Sequence, residues 1–192
     1  MKKILIILFI SLFLMFISGC NDEYSFKMIE PIESVTNVFE DAGIIIEFIE
    51  ITNEISVNII NNTDHLVKII WDNCVYTGFD GKTSSVIHYG IKYSDKEKSM
   101  DPSIISPKTK LREGIIPISK IDWILNTWEA TDIIDPFGPP ADGKTFSLRL
   151  CMKKDEQEVF YSFKFLVSKM VNENENAGKI KFNPILPHPW QE

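Results

Sequence analysis

The sequence predicts an all-β fold, an immunoglobulin-like antiparallel β-sandwich of about seven strands with one short helix. Apolar and polar residues alternate over residues 146–152 and 159–167, which is the period of a strand with one buried face. Residues 44–51 are dense in β-branched side chains. Asp-Gly pairs at residues 80–81 and 142–143 are hairpin signals. A β-barrel is the alternative, because strand number alone does not separate the two architectures.

The strand pattern also indicates where the core lies. In the predicted strand 66–76, Trp71 falls on the face with the β-branched residues and is expected in the core, whereas Cys74 falls on the other face. Polar and proline-containing residues 92–107 predict a long surface loop. The predicted strands cover residues 44–51, 55–59, 66–76, 84–90, 111–118, 146–152 and 159–167.

The short helix is expected over residues 119–128. Ser119 and Asp122 form a capping-like pair, and apolar residues recur at helical spacing up to Trp128. Such a helix would cover one open end of the sandwich and bury Trp123 and Trp128. The alternative is that these tryptophans, with Trp190 near the C-terminus, form an interface with a partner, since aromatic residues anchor protein interfaces.

The N-terminus carries a targeting signal. Lys2 and Lys3 precede an uncharged apolar run over residues 4–18, which is too short to span a bilayer comfortably and fits the apolar region of a signal peptide. The run ends in Ile17-Ser18-Gly19-Cys20, which resembles the lipobox of bacterial lipoproteins. The resemblance implies that Cys20 receives a diacylglycerol group and that cleavage occurs before it. It covers residues 1–20 and implies nothing about the rest of the chain.

This reading divides the chain into four parts and gives it a location. They are the signal peptide (1–19), the lipidated N-terminus and tether (20–42), the β-sandwich (43–171), and a flexible spacer with a proline-rich tail (172–192). The later half of the tether has room for one short edge strand. The expected location is the cell envelope, outside the cytoplasm and attached to a membrane through lipid. Asn21 rather than aspartate follows Cys20, which favours the outer membrane where the cell has one.

Charge and cysteine content narrow the function classes. Removal of residues 1–19 takes two lysines and no acidic residue, so 18 basic residues remain against 27 acidic ones and the net charge becomes −9. An acidic exported domain lacks the clustered cations that nucleic-acid binding requires.

Cys74 and Cys151 could form a disulfide outside the cytoplasm. The sequence does not decide between this disulfide and two free thiols.

Several motif matches do not predict chemistry. Residues 138–145 fit the G-x-x-x-x-G-K-T pattern of the phosphate-binding loop, but two prolines remove backbone N–H donors and a strand pattern follows, so no nucleotide is expected. His65, His88 and His188 lack metal-ligand spacing, so no metal or other cofactor is expected. Asp132 and Asp135 could line a sugar-cleaving site, although acidic residues in loops are usually solvated.

The sequence therefore predicts a lipid-anchored envelope protein that acts as a binding or assembly module, with an unknown envelope protein as partner. No catalytic residues are assigned, and catalysis is the less favoured interpretation. Two alternatives stay open: an envelope hydrolase acting on carbohydrate, and a surface-exposed receptor or blocking lipoprotein.

Overall fold

The computed structural model describes residues 23–135 and 138–170. Within these ranges the secondary structure consists of β-strands and short 3₁₀ turns. The strands are β1 (Tyr24–Glu30), β2 (Val38–Asp41), β3 (Ile44–Ile51), β4 (Ile55–Asn61), β5 (Val67–Ile69), β6 (Val75–Thr77), β7 (Thr83–Ser84), β8 (Val86–His88), β9 (Ser103–Ile105), β10 (Thr109–Pro117), β11 (Ile121–Ile124), β12 (Thr127–Ala130), β13 (Thr145–Lys154) and β14 (Gln157–Lys169). The 3₁₀ turns are Trp71–Asn73, Tyr93–Asp95 and Ile118–Lys120.

Two antiparallel sheets form the body of the molecule. The first has the strand order β1-β14-β13-β5-β9, and β6 adds to β13 while β7 pairs with β6. The second has the order β2-β3-β4-β10-β8. Strands β11 and β12 form a separate hairpin. One core cluster draws its buried side chains from both larger sheets, so the predicted all-β sandwich is confirmed.

Aromatic rings join the two sheets in the core. Phe48 of β3 lies 4.8 Å, centroid to centroid, from both Phe163 and Phe165 of β14, in edge-to-face geometry. Phe39 of β2 adds a similar contact to Phe163 at 5.4 Å. Such pairs stabilise a core beyond the area they bury, by roughly 0.5–1.5 kcal/mol each. Trp71 is also fully buried, as its position in the sequence pattern predicts.

The predicted helix over residues 119–128 is wrong. The chain makes one 3₁₀ turn at Ile118–Lys120 and then forms the β11–β12 hairpin. Trp123 pairs with Trp128 across the hairpin, and Leu125 and Asn126 form its turn with positive φ angles of 47° and 68°. Two consecutive positive φ angles are typical of the type I′ turn that joins hairpin strands.

The boundaries of the sandwich also differ from the prediction. Residues 20–42 are predicted as a tether with room for a short edge strand in the later half, and β2 is such an edge strand. The earlier half also contains β1, whose Met28 is fully buried. The sandwich therefore starts at Tyr24 and not at residue 43. The predicted strand 66–76 is broken by the turn Trp71–Asn73, and the predicted loop 92–107 contains β9. The predicted tail 172–192 lies outside the described residues.

The two ends of the sandwich are distinguishable. At one end, which we call the entry end, β1 starts, β14 finishes and β13 starts: Tyr24 pairs with Lys169, and Thr145 pairs with Leu166. At the opposite or far end, Asp155 and Glu156 turn the chain from β13 into β14. The ten residues of β13 span the distance between the ends, about 33 Å at 3.3 Å per residue.

The β11–β12 hairpin joins the sandwich at the entry end. Strand β10 runs toward that end, since Ile115 pairs with Ile55 beside the β3–β4 turn. After the hairpin, the Ile133 N–H donates to Thr52 O in that turn at 2.8 Å. The returning loop then reaches β1, where the Ala141 N–H donates to the Tyr24 hydroxyl at 3.4 Å.

In the described ranges, no helix is long and apolar enough to cross a membrane.

Candidate functional site

The β11–β12 hairpin carries the most exposed large apolar side chain of the described residues, Leu125, together with an exposed tryptophan. Leu125 at its turn is 93% exposed and Trp123 is 57% exposed. A leucine at positive φ is unusual, because its Cβ crowds the backbone in the left-handed region. A leucine that is exposed in that conformation therefore does not stabilise the folded chain. We call Trp123, Leu125 and Trp128 the apolar tip.

The two tryptophans of the apolar tip support each other. Their ring centroids lie 5.3 Å apart with planes at 70°, an edge-to-face pair. Trp128 is half-buried against a small cluster formed by Ile87, Ile116 and Ile121. Trp123 lies further out on the same face of the hairpin. The tip is therefore fixed at its base by packing and exposed toward its turn.

Lys96 secures the base of the hairpin. Its ammonium group lies 5.1 Å from the centre of the Trp128 ring, within cation–π range, and donates to the Ile121 carbonyl at 2.6 Å. The opposite face of the hairpin is acidic, because Asp122 pairs directly with Glu129 and both side chains are exposed. The hairpin is accordingly amphipathic, with one aromatic face and one anionic face.

A groove of about 300 Å³ lies next to the hairpin. Asp72 in its wall accepts hydrogen bonds from the Ser99 hydroxyl and from the Met100 N–H, the latter at 3.0 Å. The Lys96 ammonium group donates to the carbonyl groups of Ile118 and Ile121. The hydrogen-bonding groups of these two side chains are thus engaged within the protein. The groove is lined by Asp72, Ser85, Val86, Lys96, Glu97, Lys98, Ser99, Met100 and Ile118.

A buried polar network lies between the sheets, and sequence reasoning missed it. The Trp71 indole N–H donates to the Ser103 hydroxyl at 2.9 Å, and that hydroxyl donates to Glu113 Oε1 at 3.0 Å. The His88 ring stacks on Trp71 with centroids 4.5 Å apart, and its Nδ1 lies 3.6 Å from Glu113 Oε2. The signal for it in the sequence is a glutamate at an inward-facing position of β10.

The network contains the residue types of a hydrolase triad in an arrangement that does not activate a nucleophile. A serine nucleophile needs its hydroxyl proton directed at a histidine base. Here the Ser103 proton is directed at Glu113, while its oxygen accepts from Trp71. The Glu113 side chain is only 7% exposed. The hydrogen bonds satisfy the Trp71 N–H, the Ser103 hydroxyl and Glu113 Oε1, whereas Glu113 Oε2 and both ring nitrogens of His88 are buried without a hydrogen-bond partner.

Cys74 and Cys151 are free and buried. The expectation that Cys74 faces away from the core is wrong, since it is 1% exposed and belongs to the core cluster. Its sulfur accepts the Cys151 N–H at 3.3 Å and donates to Ile70 O at 3.4 Å. The structure holds the two residues as thiols and not as a disulfide. Burial raises the pKa of the Cys74 thiol to about 12, which suppresses its reactivity.

A second exposed aromatic residue lies on the outer face of the first sheet. Phe160 of β14 is 51% exposed, and the Arg149 guanidinium lies 5.3 Å from the centre of its ring. Arginine and aromatic side chains together are enriched at the centres of protein interfaces. Alternation over residues 159–167 places Phe160 on the outward face, but sequence reasoning did not connect it with Arg149, because that contact depends on the register between β13 and β14.

The other residues noted in the sequence are dispersed. Asp132 and Asp135 are both exposed and do not line the groove described above. His65 pairs with Asp155 at 2.9 Å at the far end. Strand β13 begins at Thr145, two residues after Gly143, so a strand and not a helix follows the phosphate-loop-like pattern. Cys20, His188 and Trp190 lie outside the described residues.

Over residues 23–135 and 138–170, no three His, Cys, Asp or Glu side chains lie close enough to hold a metal ion. Comparison with protein-family models, with curated proteins and with solved structures gave no significant match to this chain.

Proposed function

We propose that this chain is a lipoprotein of a bacterial cell envelope that works as a binding or assembly module. The observation that carries the proposal is the lipobox-like Ile17-Ser18-Gly19-Cys20, placed four residues before the first strand of a sandwich. A lipid on Cys20 would hold the sandwich directly at a membrane outside the cytoplasm, in the outer membrane where the cell has one.

The exposed aromatic residues support binding as the mode of action. Phe160 with Arg149 on the first sheet, and the apolar tip at the entry end, leave large apolar side chains in solvent. Contiguous exposed apolar surface on a folded domain commonly marks an interaction site. We assign the Phe160 face to an envelope protein partner, because a single aromatic ring covered by a guanidinium matches the composition of interface centres.

The anchor is tested by changing Cys20 to serine. The expected result is that Cys20→Ser stays uncleaved or leaves the membrane fraction, because serine cannot form the thioether. Mass spectrometry of the native protein should show the diacylglycerol on Cys20 and no residues before it. A variant that is processed and fractionates like the wild type would refute the lipoprotein assignment.

The binding role is tested by photo-crosslinking in native envelopes. A photo-reactive amino acid at position 160 should give a reproducible adduct with one envelope protein. The matched control is position 162, since Ser162 lies exposed on the same face of β14, two residues further along. Identical background labelling from both positions would contradict the assignment of this face to a partner.

A further inference from the structure

We propose that the apolar tip of the β11–β12 hairpin inserts into the lipid head-group layer of the membrane that holds the chain. The inference rests on the proposed lipid anchor at Cys20. It extends that function, because it gives the entry end a second, non-covalent contact with the membrane.

Chain length brings the hairpin to the bilayer. Cys20, which would carry the lipid, is four residues before Tyr24, the first residue of β1. At a maximum of about 3.6 Å per residue this connection reaches at most about 14 Å. The sandwich is about 33 Å from end to end by the strand rise of β13. The entry end must therefore lie close to the membrane, and the hairpin joins the sandwich at that end.

The side chains of the apolar tip suit the membrane interface. Tryptophan is enriched at the level of the head groups, where its ring is partly apolar and its indole N–H meets water. Leu125, which is 93% exposed, would bury its side chain among the acyl-chain ends. Its left-handed backbone, unfavourable in a free hairpin, is then retained for the contact it makes.

The charges limit the contact to a shallow one. Asp122 and Glu129 lie on the face of the hairpin opposite to the tryptophans, so that face stays in water. The mature chain has 18 basic and 27 acidic residues, and anionic lipids therefore repel it. The lipid that fits this tip is zwitterionic, and the contact is apolar rather than electrostatic.

The test uses the native lipidated full-length chain in phosphatidylcholine vesicles. Leu125→Cys is labelled with an environment-sensitive dye, and Cys74 and Cys151 stay unlabelled because they are 1% and 0% exposed. The matched control is Leu66→Cys, another exposed leucine, which precedes β5 at the far end. A nitroxide on the lipid head group should quench the Leu125 label at the interface and leave the Leu66 label, which lies in water at the far end, unquenched.

The outcomes separate this inference from the proposed function. Equal quenching of the two labels, in protein whose mass shows the lipid on Cys20, overturns the hairpin insertion and leaves the lipoprotein assignment standing. Absence of that lipid from the native protein overturns both. Addition of anionic phosphatidylglycerol should reduce quenching of the Leu125 label. An increase on addition would show electrostatic attachment and overturn the proposed apolar contact.

Discussion

At the scale of single residues, the buried network around Ser103 stands out because one hydroxyl serves two partners. It accepts from the Trp71 indole and donates to Glu113, and both partners lie inside the core. A buried polar atom without a partner costs about 1–3 kcal/mol. Ser103 thus contributes to stability through the two groups that it would leave unsatisfied.

Ser103→Ala should therefore lower the free energy of unfolding by about 1–3 kcal/mol, because it removes one partner from Trp71 and one from Glu113. Urea denaturation followed by tryptophan fluorescence measures the change. Ser162→Ala, at an exposed position of β14, is the control and should stay within about 0.5 kcal/mol of the wild type. Equal stability of the two variants would show that the network contributes nothing net.

The buried thiol of Cys74 predicts a loss of stability at alkaline pH. Burial raises its pKa to about 12, whereas an unfolded cysteine titrates near about 8.5. The unfolded state then loses a proton that the folded state keeps. The stabilisation is complete below about pH 8.5 and is lost as the pH rises toward 12, by at most about 1.4 kcal/mol per pH unit.

This effect is measured by urea denaturation under reducing conditions between about pH 8 and about pH 10, before unfolded tyrosines titrate. Cys74→Ala should be less stable at the lower pH because it leaves a small cavity, but its stability should fall less steeply with pH. Cys151, whose pKa is also raised by burial, is present in both proteins and gives both profiles a slope of its own. Parallel pH profiles would contradict the assignment of the slope to Cys74.

The position of Cys74 shows why part of the core could not be predicted. Trp71 was placed correctly because alternation from Val67 onward holds as far as that position. The 3₁₀ turn Trp71–Asn73 then shifts the phase of the chain, so the face predicted for Cys74 is reversed. The alternation of apolar and polar residues does not reveal such a turn inside an apolar stretch.

At the scale of elements, the β11–β12 hairpin differs from the predicted helix for an identifiable reason. Isoleucine and tryptophan between residues 121 and 128 satisfy both the helical and the strand period, so the spacing is ambiguous. The turn at Leu125–Asn126 lacks the glycine that usually marks a type I′ turn. By contrast, the hairpin of β13 and β14 was predictable, because both strands are long and strictly alternating.

The hairpin turn gives a prediction of increased stability. Leu125→Asn should raise the free energy of unfolding by roughly 0.5–1 kcal/mol, since asparagine tolerates positive φ better than leucine does. Little packing is lost, because the leucine is 93% exposed. Thermal or urea denaturation of the chain in detergent measures the change without a membrane contact.

The control for this change is Leu66→Asn, which replaces an exposed leucine outside the residues with positive φ. It should alter stability by less than about 0.5 kcal/mol. If Leu125→Asn instead destabilised the chain, the leucine would be making a folding contact, and its exposure in the hairpin would have another explanation.

At the scale of the whole molecule, the sandwich is held by contacts far apart in sequence. Strand β1, close to the N-terminus, pairs with β14 at the other end of the described chain. Met28 of β1 is fully buried in the core cluster. The sequence placed this strand in a tether, because residues 20–42 lack a clean period and include Pro31. Pairing with a distant strand is information that local patterns do not contain.

The membership of β1 in the sandwich is tested by removing its core side chain. Met28→Ala should lower the free energy of unfolding by about 2–5 kcal/mol, the range for truncating a large buried side chain. Ile32→Ala, four residues later and 65% exposed, should change it by less than about 0.5 kcal/mol. If residues 20–42 acted only as a tether, both variants would match the wild type. A large loss confined to Met28→Ala would show that β1 is part of the domain core, so that only the few residues before Tyr24 would connect the sandwich to the proposed lipid on Cys20.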